Sequence, residues 1–96
     1  MDNKLDKWRK QINSVDQKLL ILLAKRLSLA RKIGQHKKKR NLPILDQQRW
    51  NKILESNLNQ AKSLNLSEIF IKRMFNLLHQ YSLRVQKEVG NYDKKR

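Results

Sequence analysis

From Leu5 onward the apolar residues return in steps of three and four, at Leu5, Trp8, Ile12, Val15, Leu19 and Leu22, then Leu29 and Ile33. Arg26 stands where the stripe skips a place. This spacing is the seam of one amphipathic helix. Ala24, Ala30 and the leucine-rich middle favour helix, and the first break comes at Arg40-Asn41-Leu42-Pro43. The first helix is therefore expected over about residues 3–39. At 1.5 Å per residue it rises about 54 Å. A compact chain of 96 residues has a radius of gyration of only about 12–13 Å. The helix must overhang any globule built from the rest, and both halves of its seam need cover. A second copy of the chain is the simplest supply, which predicts an all-α homodimer with shared helices. A monomer would need a bend, and no internal proline provides one.

Two shorter helices complete the chain. Asp46, just after the proline-containing loop, is a good N-cap, and Trp50, Ile53, Leu54, Leu58 and Ala61 follow at helical spacing. That helix should end around Ser63 to Asn65. Ser67, with Glu68 behind it, starts the third helix, which carries Phe70, Met74, Leu77, Leu78, Tyr81, Val85 and Val89. Gly90 and Asn91 are expected to stop it, leaving a frayed basic tail over about 91–96. No repeat or linker divides the chain, so residues 1–96 read as one domain. Two glycines and one proline also favour long helices over a β fold.

Composition removes several kinds of chemistry. The chain has no cysteine, hence no disulfide, thiol nucleophile or thiolate metal site. His36 and His79 lack carboxylates placed to complete a zinc site, so no metal is expected. No run approaches the roughly 18 apolar residues of a membrane span. The start lacks the pattern of a secretory signal, and the cytoplasm is the expected compartment. Lys and Arg total 23 against 8 Asp and Glu, a net charge of +15. Such a balance suits an anionic partner: nucleic acid, a membrane surface or a small metabolite. Charge alone does not choose among them.

Polar residues inside the apolar stripes are more informative. Arg26 sits in the seam of the first helix, with no carboxylate at i±3 or i±4 to neutralise it. Lys37, eleven residues on, differs from it by only about 20° around the helix and lies about 16 Å along the axis. Both reach toward one side, as two cations would around a small anion. On the third helix Ser82 and Gln86 continue the face begun by Phe75 and Leu78. Asp46 and Arg49 share a face at the start of the second helix. Arg9 lies about 26 Å from Arg26 along the same helix and cannot join it within one chain. In an antiparallel pairing of two first helices, Arg9 of one chain approaches Arg26 of the other.

The ordered set Arg9, Arg26, Lys37, Asp46, Arg49, Ser82 and Gln86 resembles the all-helical chorismate mutase family. The resemblance runs from about Leu5 to Glu88. It includes Trp8-Arg9-Lys10-Gln11-Ile12, Ala24-Lys25-Arg26, Ile33-Gly34-Gln35-His36-Lys37 and Asp46-Gln47-Gln48-Arg49. It implies an intertwined homodimer that converts chorismate to prephenate without a cofactor. Lys37 and Gln86 would be the catalytic contacts to the ether oxygen. Arg26 and the partner chain's Arg9, helped by Arg49, would bind the substrate carboxylates. Asp46 would accept from the ring hydroxyl, and Ser82 would line the carboxylate side. The family commonly has a glutamate after the arginine matched by Arg49. Here it is Trp50, which reads as a packing residue facing the first and third helices and leaves Asp46 as the main acceptor.

That chemistry suits these residue types. A unimolecular pericyclic shift needs no nucleophile, metal or redox group; it needs a flexible dianion held in a reactive shape. Guanidinium forks match carboxylates, and cationic and amide donors stabilise charge that grows on an ether oxygen. An isochorismate pyruvate-lyase of the same fold is one alternative. A small basic helical nucleic-acid-binding protein, using Lys37-Lys38-Lys39-Arg40, is another, but it leaves Arg26, Ser82 and Gln86 unexplained. Docking on another enzyme of the pathway is compatible with the sequence, and no membrane partner is expected.

Overall fold

The computed structural model describes the backbone of residues 2–94 and the side chains of residues 2–89. Helix α1 spans Asn3–Lys39, α2 Gln47–Ser63 and α3 Glu68–Lys94. The all-α expectation holds, and the starts of all three helices fall where capping residues and periodicity placed them. Asp2 Oδ1 accepts from the backbone N–H groups of Lys4 and Leu5 at 3.0 and 3.2 Å. Asp46 Oδ1 accepts from Arg49 N–H at 3.1 Å, and Ser67 Oγ from Phe70 N–H at 3.2 Å. Each cap satisfies donors that the first turn of a helix leaves without partners.

The ends of α1 and α2 share one device. Asn41 and Asn65 take positive φ, 54° and 60°. The next residue then folds its N–H back, Leu42 onto the Lys37 carbonyl at 2.8 Å and Leu66 onto the Ala61 carbonyl at 2.9 Å. Asparagine here fills the left-handed position more often held by glycine. Helix α3, by contrast, passes the expected stop at Gly90 and Asn91 and runs to Lys94. A glycine ends a helix by adopting positive φ, which no described glycine does; left in helical geometry it costs only about 1 kcal/mol. Lys95 and Arg96 of the expected tail lie outside the described residues.

Helix α3 is the central element, packed on α1 and on α2; among the described residues the α1 and α2 backbones do not approach each other closely. Arg26 meets Ser82 and Gly34 meets Gln86, so α1 and α3 run in the same sense. At Gly34 the two backbones come so close that a Cβ would lie 2.7 Å from the Gln86 Cα and 2.9 Å from its carbonyl oxygen. Only a residue without a side chain permits that approach. The buried set among the described residues is small: Ala30, Gly34, Trp50, Ala61, Ile71 and Val85, with the polar Ser82 and Gln86.

The first part of α1 takes no share in this packing. Every described residue from Asp2 to Lys25 is exposed. That stretch leaves the globule as a bare rod of about 35 Å, at 1.5 Å per residue. The radius of gyration is 17.4 Å and the extents are 58 × 30 × 14 Å, well beyond the compact value of about 12–13 Å. Leu5, Trp8, Ile12, Val15, Leu19 and Leu22 all project from the rod into solvent. No helix among the described residues is long and apolar enough to cross a membrane.

Candidate active site

A cavity of about 410 Å³ opens where α1, the loop before α2 and α3 come together. Helix α1 contributes Arg26, Ala30, Ile33 and Lys37; α2 and its cap contribute Asp46, Arg49 and Trp50; α3 contributes His79, Ser82 and Gln86. Helix period explains the grouping. Arg26, Ala30, Ile33 and Lys37 follow one face of α1 at steps of three and four, as do His79, Ser82 and Gln86 on α3. Every site residue expected from the sequence lines this cavity except Arg9. Arg9 is exposed on the bare rod of α1, as its separation from Arg26 requires.

The cations and amides are joined to one another. Arg26 Nη1 donates to Ser82 Oγ. Lys37 Nζ donates to Gln86 Oε1 at 3.1 Å and to the backbone carbonyl of Ile44 at 2.5 Å. Ser82 and Gln86 are 6% and 7% exposed, so both polar side chains are held in place by packing as well as by these bonds. Lys37 retains one proton, and Gln86 its amide N–H groups, for a ligand.

Charge in the cavity is out of balance. The Arg84–Glu88 ion pair, with N to O 3.1 Å, is exposed and lies outside the cavity, and among the described residues no carboxylate pairs with Arg26. Burial alone pulls the Arg26 guanidinium below its ordinary value. Asp46 supplies a carboxylate, but one of its oxygens caps α2. A buried or half-buried cation without a counter-ion is destabilising in the empty protein and favourable once an anion arrives. The cavity is thus built for negative charge, with planar guanidinium donors suited to carboxylates.

Two contributors escaped the sequence reading. Ile44 enters through its backbone carbonyl, which depends on the path of the loop and leaves no trace in residue type. His79 had a trace: it lies three residues before Ser82 and seven before Gln86, on the same face of α3. Its ring stacks on Trp50 with centroids 3.8 Å apart and planes 5° from parallel. Burial, then the charges of Arg26 and Lys37, push its pKa below the ordinary histidine value and favour the neutral ring. Trp50 itself is 8% exposed. It packs on α3, which is half of the expectation that it faces the first and third helices, and it also forms part of the cavity wall.

Comparison with known proteins bears on this cavity. Residues 8–87 match a family model described as chorismate mutase type II. The chain is 38% identical over 89 residues to the bifunctional chorismate mutase/prephenate dehydratase of Buchnera aphidicola subsp. Schizaphis graminum, covering 93% of this chain and 23% of that protein. It is 32% identical over 88 residues to the chorismate mutase of Methanocaldococcus jannaschii, covering 92% and 89%. Among solved structures, a conserved hypothetical protein from Pyrococcus furiosus superposes with a TM-score of 0.68 at 32% identity, covering 90% of this chain and 99% of that one. The chain therefore spans less than a quarter of the bifunctional Buchnera relative and nearly the whole of the Methanocaldococcus one.

Proposed function

The chain belongs to the chorismate mutase type II family, and from that premise we propose that it rearranges chorismate to prephenate, the branch step toward phenylalanine and tyrosine. One observation carries the reading. Arg26 and Lys37, eleven residues apart on α1, meet Ser82 and Gln86 of α3 in a single cavity with surplus positive charge.

The reaction moves three electron pairs around a six-membered ring of atoms. The ether C–O bond of the enolpyruvyl group breaks while a C–C bond forms between its methylene carbon and the ring. Nothing is added or lost, so the protein has two tasks. The first is to hold the dianion in the compact conformer that brings the two carbons together. In this reading Arg26, Arg49 and Arg9 of a partner chain grip the carboxylates, Ser82 fixes the Arg26 fork, and Asp46 accepts from the ring hydroxyl. The second task is electrostatic. Negative charge grows on the ether oxygen as its bond stretches. The free proton of Lys37 and the amide of Gln86 are the donors for that oxygen, and they stabilise the transition state more than the ground state.

The homodimer belongs to the same proposal. A second chain laid along the bare rod of α1 would cover its seam and deliver Arg9 to the cavity. Burying side chains such as Leu5, Trp8, Ile12, Val15, Leu19 and Leu22 is worth on the order of 10 kcal/mol. We also place the enzyme in the cytoplasm. Since the Buchnera relative joins mutase and dehydratase in one polypeptide, association with an enzyme that consumes prephenate is part of the proposal.

The test is direct: purified protein is mixed with chorismate and the loss of its absorbance followed. Acceleration over the spontaneous rate is expected, and its absence in a folded sample would overturn the reading. Lys37→Ala should lower kcat/KM by about 10²–10³-fold, the usual effect of removing one donor of this kind. Unchanged turnover in that variant would remove Lys37 from the mechanism.

A further inference from the structure

We propose that His79 is a specificity-determining residue of this cavity, one that hydrogen-bonds the ring hydroxyl of the substrate beside Asp46. The proposal rests on the chorismate reading and adds to it a residue on the uncharged part of the ligand.

The argument begins with which polar atoms are already engaged. Ser82 Oγ accepts from Arg26, Gln86 Oε1 and the Ile44 carbonyl accept from Lys37, and one Asp46 oxygen accepts from Arg49 N–H. The donors still unused on Arg26, Arg49, Lys37 and Gln86 are the ones assigned to the carboxylates and the ether oxygen, which leaves the second Asp46 oxygen and the His79 ring for the hydroxyl. Among the described residues the His79 contact is its stack on Trp50, and its nitrogens have no hydrogen-bond partner. No buried side-chain nitrogen or oxygen among those residues lacks a partner, so the His79 nitrogens are not sealed in protein. The indole covers one face of the ring, and the residue lines the cavity, so its unpartnered nitrogens are within reach of a ligand there. Stacking at 3.8 Å also fixes the plane in which they can make a bond.

The charged surroundings decide what kind of group it offers. It shares the cavity with Arg26 and Lys37 of α1, with Asp46, the cap of α2, with Arg49 and Trp50 of α2, and with Ser82 and Gln86 of its own helix. Burial and the two α1 cations push the imidazole pKa down and favour its neutral form. A neutral ring has one N–H and one bare nitrogen, and it competes poorly with guanidinium for a carboxylate. It fits a hydroxyl, which donates its proton to the free Asp46 oxygen and accepts from the His79 N–H. A site that pairs a hydroxyl in this way rejects the analogue without it, because polar groups are left unsatisfied.

The test compares chorismate with its analogue bearing hydrogen in place of the ring hydroxyl, in wild type, His79→Phe and His79→Gln. Phenylalanine keeps a ring to stack on Trp50 and loses the nitrogens; glutamine keeps a donor and acceptor and loses the ring. His79→Phe should lose about tenfold in kcat/KM for chorismate and nothing for the analogue. The loss should fall mainly on KM, since the hydroxyl gains no charge during the reaction. His79→Gln should recover part of it. Equal losses on both substrates, or no loss on either, would overturn the proposal while wild-type turnover still upheld the mutase reading. If wild type itself fails to turn over chorismate, both fall together. Helical circular dichroism of each variant confirms that the comparison is made between folded proteins. Should His79→Phe not fold, the glutamine variant decides: retained discrimination supports the proposal, and its complete loss with normal analogue turnover shows that the ring plane is required. Loss of both activities in a folded glutamine variant would overturn it.

Discussion

Arg26 puts a guanidinium into an apolar stripe, with a serine hydroxyl for company and no carboxylate. Such a residue is costly to the empty protein and useful to a bound anion. Arg26→Met should therefore raise the urea midpoint of the ligand-free protein or leave it unchanged, while removing nearly all turnover. A clear loss of stability would show that the guanidinium holds the fold together instead. His79 makes a second prediction, from acid titration. Its folded pKa lies below the ordinary value of 6.5, so the unfolded chain takes up the proton first. The stability due to its neutral state is complete above about pH 6.5 and is lost as pH falls toward the lowered folded value. In urea melts between pH 7 and 5, wild type should lose stability more steeply than His79→Phe. Parallel curves would mean that neither burial nor the two cations act on this ring. Arg26 was legible because it breaks a period. His79 was passed over because histidines were weighed only as metal ligands, although its register with Ser82 and Gln86 was available.

The helices show how a boundary and a contact differ in what they require. Starts follow residue type, because Asp2, Asp46 and Ser67 bond the free N–H groups of their own first turns. The end of α3 does not, because a glycine permits a turn without compelling one. Gly34 is different again, since its need comes from another helix. Alanine there would raise helix propensity by about 1 kcal/mol, yet its Cβ would meet Gln86 backbone atoms at 2.7 and 2.9 Å. Overpacking against backbone costs about 1–3 kcal/mol. Gly34→Ala should thus be destabilising by about 1 kcal/mol in denaturant melts and should also lower kcat, because the displaced residue is Gln86. Gain of stability with full activity would show that α1 and α3 can separate slightly at no cost.

At the scale of the whole molecule, the rod of α1 decides the assembly. A 58 Å particle with Trp8, Ile12 and Val15 in water exposes the apolar seam that the proposed homodimer would cover. If a partner supplies Arg9, two crippled chains can repair each other. In a mixed dimer of Arg9→Ala and Arg26→Met, one site carries both lesions and the other carries neither. Each variant alone should be nearly inactive. An equal mixture, unfolded and refolded together, should regain about a quarter of wild-type activity, because half the dimers are mixed and each has one sound site. No recovery would place Arg9 outside the site.

Residue order alone determined that this chain is three helices, where they start, and that the first is too long for a monomeric globule. It did so because caps and hydrophobic period act within a few residues of where they are written. It also marked Arg26, Lys37, Ser82 and Gln86 as out of place, since a polar group in an apolar stripe is visible without coordinates. Tertiary structure decided which of these meet. The Lys37 bond to a loop carbonyl, the stack of Trp50 on His79 and the contact at Gly34 join residues 7 to 52 positions apart in sequence. Such contacts depend on the relative placement of helices, which local spacing does not encode.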